Sequence, residues 1–279
     1  MGIQLTDIQK QRLRELNAPA ELSEALFDEE EERNRAFQEM EKSLAEAGRQ
    51  ALTQLRDGSH RTAVCELEAT LAETLRAEGF IQVITPLFLS KGLLERMSVT
   101  SDHPLNRQVY WLNPQQCLRP MLAPHLYALL KRLVRLWEKP IRIFEVGPCF
   151  RKESKGSHHL DEFTMLNLVE LGLPTESRHE RLKELAHLVT KVSGIRHYEL
   201  MLKSSEVYGE TIDLVGEKGT ELCSCAVGPH PLDDAWGITD PWVGLGLGLE
   251  RLVMVREGYQ NIQRVGRSLI YLDGVRLNI

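Results

Sequence analysis

Several things are missing from the sequence, and each absence narrows what the chain can be. No run of about 18 apolar residues occurs, so no transmembrane helix and no membrane partner are expected. The opening stretch MGIQLTDIQKQRLREL is charged and has no apolar signal-peptide core, so secretion is not expected. The five cysteines (Cys65, Cys117, Cys149, Cys223 and Cys225) include no C-x-x-C pair. An odd, scattered set argues against a disulfide framework or a zinc site and for reduced thiols in the cytoplasm. Internal repeats and low-complexity linkers are absent. So is any excess of positive charge: the net charge of −6 does not by itself point to nucleic acid. Only the last 29 residues depart from that balance, with five arginines and two acids from Arg251 onward. A solvated face is the commoner cause of such a run.

What is present is a soluble globular profile. The 279 residues are 42% hydrophobic and 27% charged, enough for one large domain with a substantial core, or a domain plus an appendage. Residues 1–58 read as a charged helical appendage. Phe37, Met40, Leu44, Ala47, Ala51 and Leu55 recur at spacings of three and four, and Asp57–Gly58 ends the run. The acids of Asp28–Glu32 suit a helix start. Residues 59–279 read as one domain. It opens with a helix carrying Val64, Leu67, Leu71 and Leu75, stopped by Gly79. FIQVITP follows as a short strand closed by Pro86, which cannot continue a central ladder. Strands are expected at Gln108–Leu112, in PIRIFEVG, in EFTMLNLVEL, around Val207–Leu214, around Leu222–Val227 and near Ile270–Leu272. Helices are expected from about Pro124, over RHERLKELAHLVTKVSG, and from about Leu249. Helices do not alternate regularly with strands, so the expected fold is α+β, a mainly antiparallel sheet flanked by helices.

The stretch GLGLGLERL, Gly244 to Leu252, is the most unusual in the chain. A dinucleotide-binding G-x-G-x-x-G belongs to an early strand, whereas here the third glycine falls one position early and the stretch lies near the end. A buried strand explains the alternating leucines but not three glycines, which weaken a strand interior. Glycines on one face leave room for something flat or bulky. An arginine at the following helix start, Arg251, suits a phosphate. CFRKES, Cys149 to Ser154, adds a second motif: Arg151 and Glu153 at the mouth of a hairpin whose return strand is EFTMLNLVEL. By itself such a pair is usually a surface ion pair.

Taken together, EGFIQVITP, FRKE followed by EF, and G-x-G-x-x-R from Gly246 to Arg251 resemble the three signature motifs of class II aminoacyl-tRNA synthetases in order and spacing. LRPMLAPHLYALL, IFEVGPCFRKES, HLDEFTMLNLVELG, VYGETIDL and RSLIYLDGVRLNI narrow the likeness. Over nearly the whole chain they resemble the catalytic domain of the pyrrolysyl-tRNA synthetase family. That resemblance implies ATP-dependent activation of pyrrolysine through an aminoacyl-adenylate, then ligation to the 3′ end of tRNA(Pyl), with ATP and Mg²⁺ as cofactors. It implies Arg151 on the α-phosphate and substrate carboxylate and Glu153 on the adenine amino group. Phe163 and Arg251 would take the two faces of adenine, with Arg251 also reaching the terminal phosphate. His159 and Leu160 would lie along the triphosphate, and Gly246 and Gly248 would leave room for the nucleotide. Glu221 and Ser224 match positions that hold Mg²⁺, although strict strand alternation would put them on opposite faces, so a bulge or strand end is needed between them.

For the amino acid, the resemblance implies Asn167 on the side-chain amide carbonyl, with Met165 and Val169 on the same strand face. Ala123, Leu126, Tyr127 and Leu130 share a helical face and would line the deep apolar end, with Trp242 and Gly244 completing the wall and Tyr208 as a lid. Without the family, that helical face would read as core. Small Ala123 and Val169 favour a long Nε-acyl-lysine over phenylalanine. His125 stands where the family pattern has asparagine, which implies a local hydrogen-bond change beside the pocket. A homodimer built on the first motif is implied, with tRNA contacts from residues 1–58 and from the tail. The chain further resembles bacterial-type stand-alone catalytic subunits, which implies a separate tRNA-binding protein as partner; family members that lack that domain altogether are the alternative. The alternatives are a class II synthetase charging another amino acid, a non-catalytic tRNA-binding paralogue, and adenylate transfer to another acceptor. Retention of Arg151, Glu153 and Arg251 counts against the paralogue.

Overall fold

A computed structural model describes residues 2–152, 156–157, 159–205 and 207–279. The chain divides into two compact units, Val64–Ile262 and a second made of residues 1–63 with 263–279. In the latter, β1 (Ile3–Gln4) and β2 (Leu26–Phe27) form a minimal antiparallel ladder around α1 (Asp7–Glu15) and α2 (Ala20–Ser23), and α3 (Glu30–Asp57) follows. A capping box starts α1: the Thr6 hydroxyl accepts from the Gln9 amide N–H while the Gln9 side chain accepts from Thr6 N–H. The acid run expected at a helix start does fall there, with Glu30–Glu32 in the first turn of α3. The closing residues, read from sequence with the large domain, fold within this smaller unit. Arg264 is buried and donates to the carbonyls of Glu15 and Gly274.

The larger unit begins with α4 (Ala63–Ala77), stopped as expected at Gly79, which takes a left-handed φ of 84°. Its strands are β3 (Ile81–Gln82), β4 (Phe88–Ser90), β5 (Trp111–Asn113), β6 (Gln116–Leu118), β7 (Ile141–Phe150), β8 (Glu162–Leu171), β9 (Tyr198–Ser205), β10 (Gly209–Gly216), β11 (Glu221–Gly228) and β12 (Trp242–Gly248). Its remaining helices are α5 (Lys91–Glu95), α6 (Ala123–Leu133), α7 (Arg178–Ser193) and α8 (Leu249–Arg256). Seven strands make one sheet in the order β3-β7-β8-β12-β11-β10-β9. Every pairing in it is antiparallel except β3 with β7. The α+β expectation therefore holds. Helices α7 and α8 pack on this sheet, where Leu245 and Leu247 of β12 are buried with Leu182, Leu185 and Val189 of α7.

Two local expectations need correction. The strand expected at Gln108–Leu112 starts late: Pro104–Gln108 form a 3₁₀ turn capped by His103, whose Nδ1 accepts from Leu105 N–H, and extended pairing begins at Trp111 and runs to Asn113. Pro104 supplies the fixed φ that starts such a turn. The strand β9 went unread because it is an edge strand, exposed along most of its length, so its side chains carry little hydrophobic alternation. The remaining two-residue strand of the chain's close, β13 (Tyr271–Leu272), pairs with β14 (Val275–Arg276).

Candidate active site

Cross-strand register brings polar residues into one row across the sheet. Asp213 lies opposite Ser224, Ser224 opposite Gly246, Gly246 opposite Asn167, and Asn167 opposite Glu145. The next row places Ala226, Gly244 and Val169 side by side, and Gly248 faces Met165. Directly opposed residues share a sheet face, so the glycines of β12 form the floor of an open trough while its leucines face the helices. Above that floor lies a cavity of about 550 Å³. A Cβ added at Gly246 would come within 3.0 Å of the Met165 methyl, and one added at Gly248 would meet nothing within 4 Å. The first glycine permits a close approach and the second leaves open space.

The cavity gathers the predicted positions. Arg151, His159, Leu160, Phe163, Glu221, Ser224, Gly246, Gly248 and Arg251 line one part of it. Ala123, Leu126, Tyr127, Leu130, Met165, Asn167, Val169, Tyr208, Trp242 and Gly244 line it too. Glu153 lies outside the described residues. The difficulty over Glu221 and Ser224 resolves in the register: Leu214 pairs with Cys223 but Val215 pairs with Glu221, an irregularity that takes up Leu222 and lets both residues line the same cavity.

At the polar end the cations are held by backbone. Arg151 Nε donates to Pro120 O at 2.8 Å, and its guanidinium lies 5.4 Å from the Phe163 ring centre. Arg251 Nη1 donates to Glu221 O at 3.0 Å, with the Glu221 carboxylate 3.9 Å away. Buried Glu250 accepts Thr164 N–H through both oxygens, at 2.8 and 2.9 Å, which ties the first turn of α8 to β8 and sets Arg251. Ser224 Oγ donates to buried Asp213 at 2.9 Å. Behind Arg151, the fully buried Arg119 pairs with Glu145 at 2.6 Å and donates to Pro148 O at 2.8 Å. Thr85 Oγ1 donates to Glu145 at 2.6 Å, and Arg119 O accepts Phe150 N–H. The segment that carries Pro120 is thereby anchored on both its side-chain and backbone groups. Such a pair is costly to break, about 3–5 kcal/mol when one partner is removed.

At the apolar end, one buried carboxylate organises the aromatic wall. Asp233 accepts from Tyr127 Oη at 2.9 Å, Trp242 Nε1 at 2.7 Å and His230 N–H at 2.7 Å. Tyr127 stacks on Trp236 with ring centres 5.2 Å apart and meets Trp242 edge-on at 6.0 Å. Burial, then the neighbouring Tyr208 and Asp233, push the Tyr127 hydroxyl well above its ordinary pKa, so it remains a donor. Asn167 Nδ2 donates one hydrogen to Leu245 O at 2.7 Å, which fixes the amide's orientation and leaves its second hydrogen available. Tyr208 sits in the turn between β9 and β10, its N–H on Ser205 Oγ at 3.2 Å. His125 is buried, its Nδ1 without a partner among the described residues, and burial followed by the Arg119 charge lowers its pKa. The thiols are ordinary buried groups apart from exposed Cys65. Burial holds Cys117 up at about 11 and Cys149 at about 12; the hydrogen bond between Cys223 and Cys225, then burial, raises Cys223.

Sequence reading missed Asp213, Glu250 and Asp233. Asp213 and Thr211 alternate as buried polar residues in TIDLV, a signal that was available. Asp233 lies in a 3₁₀ turn and its role depends on contacts distant in sequence, so nothing local marks it.

A seven-stranded, mainly antiparallel sheet with this glycine-floored, arginine-flanked trough defines a class II aminoacyl-tRNA synthetase, an aminoacyl-tRNA ligase. Known proteins agree. Residues 51–203 match the family described as phenylalanyl tRNA synthetase beta chain CLM domain. A histidine–tRNA ligase of Thermus thermophilus is 23% identical over 141 residues, 49% of this chain and 34% of that protein; a lysine–tRNA ligase of Carboxydothermus hydrogenoformans is 32% identical over 128 residues, 45% and 24% of the two. The chain thus spans about a third or less of these curated relatives. The crystal structure of pyrrolysyl-tRNA synthetase from Desulfitobacterium hafniense is 54% identical over 100% of both chains, with a TM-score of 0.94. The chain belongs to the pyrrolysyl-tRNA synthetase family.

Proposed function

We propose that this chain activates pyrrolysine with ATP and ligates it to tRNA(Pyl). The observation that carries this reading is the two-part cavity, in which a closed aromatic end and a fixed Asn167 amide adjoin a polar end flanked by Arg151 and Arg251. In the first step the amino-acid carboxylate attacks the α-phosphorus of ATP, forming the P–O bond of the adenylate and releasing pyrophosphate. In the second the terminal ribose hydroxyl of tRNA attacks the adenylate carbonyl and AMP leaves. Such displacements depend on positioning and charge stabilisation. Arg151, held by Pro120 O, would bridge the carboxylate and α-phosphate. Phe163 and Arg251 supply the two walls for adenine, and Gly246 and Gly248 leave its space. The oxygen donors Glu221, Ser224 and Asp213 suit Mg²⁺, which takes few protein ligands when phosphates supply the others. Bound there, Mg²⁺ would neutralise phosphate charge.

The free hydrogen on Asn167 Nδ2 would donate to the pyrrolysine side-chain carbonyl, and Leu126, Tyr127, Leu130 and Trp242 would surround its ring. The small residues Ala123 and Val169 disfavour the phenylalanine alternative. A homodimer is supported by exposed apolar side chains in the first motif, Ile81 and Ile84, and just after it, Leu87 and Phe88, with Ile84 at 91% exposure. No helix among the described residues is long and apolar enough to cross a membrane, which fits a cytoplasmic enzyme. A separate tRNA-binding protein remains the expected partner. The decisive assay is ATP–pyrophosphate exchange with pyrrolysine, an Nε-acyl-lysine, lysine and phenylalanine. Exchange with the first two is expected; exchange with phenylalanine alone would sink the substrate assignment.

A further inference from the structure

The turn that carries Tyr208 is held from outside its own hairpin. Val207 and Tyr208 N–H both donate to Ser205 Oγ, at 3.3 and 3.2 Å, and these bonds shape the turn between β9 and β10 without fastening it to another element. The fastening comes from His230, 22 residues further on, in the connection between β11 and β12. His230 Nε2 donates to Tyr208 O, and the two rings meet edge to face with centres 5.7 Å apart. The other ring nitrogen sets the tautomer. Nδ1 accepts Leu232 N–H at 3.2 Å, so the neutral ring carries its hydrogen on Nε2, the nitrogen that faces the carbonyl. Capping of the 3₁₀ turn Pro231–Trp236 accounts for Nδ1 and for the His230 backbone, whose N–H reaches Asp233. It does not account for Nε2. Asparagine would serve as well for a cap but would stop short of Tyr208.

We infer that His230 is a positioning residue for the amino-acid site: its Nε2–H latches the Tyr208 turn over the apolar end of the cavity. The inference rests on the reading of that end as the pyrrolysine pocket. Tyr208 lines the cavity and packs with Val207 against the cluster that holds Leu126, Tyr127 and Trp242, whereas His230 is not among the lining residues and acts through Tyr208. Strand β9 is the exposed edge of the sheet, so a turn built on it has few neighbours of its own and opens readily unless tethered. The tether and the aromatic wall share one anchor. Asp233 accepts His230 N–H, Tyr127 Oη and Trp242 Nε1, so the carboxylate that places the wall also places the ring that holds the lid. Lid and wall are thereby set in register before the amino acid arrives, which lowers the ordering cost of binding it. ATP, bound at the other end, gains nothing from the latch.

The test separates the two ring nitrogens. His230→Asn keeps an acceptor for Leu232 N–H and loses the reach to Tyr208. His230→Gln gives up that cap and returns an amide N–H near the position of Nε2. ATP–pyrophosphate exchange is measured at varied pyrrolysine and at varied ATP, and deuterium uptake in the turn between β9 and β10 is followed by mass spectrometry in the substrate-free chain. For His230→Asn the KM for pyrrolysine should rise by about threefold to tenfold, the worth of one hydrogen bond, with kcat and the KM for ATP within about twofold of the parent. Deuterium uptake in the turn should quicken by a similar factor, and His230→Gln should bring both readouts back toward the parent. His230→Asn matching the parent in either readout overturns the inference. So does a loss spread equally over kcat and both KM values, the mark of a merely structural role, and so does His230→Gln with a turn as loose as that of His230→Asn. If the parent gives no pyrophosphate exchange with pyrrolysine, deuterium uptake decides: a turn loosened by His230→Asn and restored by His230→Gln leaves the latch standing while the substrate reading fails, and an unchanged turn overturns the latch.

Discussion

The two ends of the main cavity are built on different principles. At the end assigned to the nucleotide, the working groups are charges tethered to main chain: Arg151 on Pro120 O, Arg251 on Glu221 O, and the turn that carries Arg251 tied down by Glu250. At the end assigned to pyrrolysine, the working groups are rings, and their positions come from one buried carboxylate, Asp233, which receives Tyr127, Trp242 and the His230 backbone. Charges fixed before substrate arrives can stabilise a transition state, whereas rings fixed before substrate arrives decide which side chain fits. The two functions can therefore be damaged separately.

Arg151→Ala should produce the largest effect, at the nucleotide end: pyrophosphate exchange lower by about 10²–10³, with the preference among lysine derivatives unchanged. An activity loss below tenfold would remove Arg151 from the chemistry. Asp233→Ala strikes the other end. It strands three donors, two of them buried, and the expected cost is on the order of 2–4 kcal/mol in a urea unfolding curve, accompanied by a broadened choice of lysine derivatives. Stability within 0.5 kcal/mol of the parent (roughly the scatter of a neutral surface change) would mean that the aromatic wall holds itself. Asn167→Ala should lower kcat/KM for pyrrolysine by about tenfold to a hundredfold, the worth of one well-placed hydrogen bond, while the KM for ATP does not move. A shift in the ATP parameter instead would place Asn167 at the wrong end.

The smallest effect concerns His125. Burial lowers its pKa, so the folded state holds it neutral while the unfolded chain takes up a proton as pH falls through about 6.5. Its contribution to stability is thus complete above that pH and declines as pH falls from there toward the lowered folded value. Melting temperature measured from pH 7 down to pH 5 should drop more steeply for the parent than for His125→Asn. Parallel curves would show that His125 does not titrate between folded and unfolded states.

Much of the site was legible before the fold was known, because its parts lie in short contiguous motifs. GLGLGLERL carries its own geometry: period-two alternation separates glycines from leucines onto two faces of β12, and the structure places them so. The same logic put Phe163, Met165, Asn167 and Val169 on one face of β8, and all four line the cavity. It failed where alternation is broken or weak. Glu221 and Ser224 line one cavity only because the register slips at Leu222; β9 is an exposed edge with little pattern; and the strand expected from Gln108 begins only at Trp111, after the 3₁₀ turn at Pro104–Gln108.

By itself the sequence determined the class of fold, the order of the three motifs and which faces of β8 and β12 carry the chemistry, since these follow from local period and residue type. Tertiary structure alone decided which distant segments meet. Arg119 lies behind Arg151 through its buried pairing with Glu145, Asp233 draws Tyr127 and Trp242 together across 106 and 9 residues, and the chain's last 17 residues fold with its first 63. The reason is that a buried polar group must find a partner wherever the fold brings one within reach, and no local periodicity encodes the address of that partner.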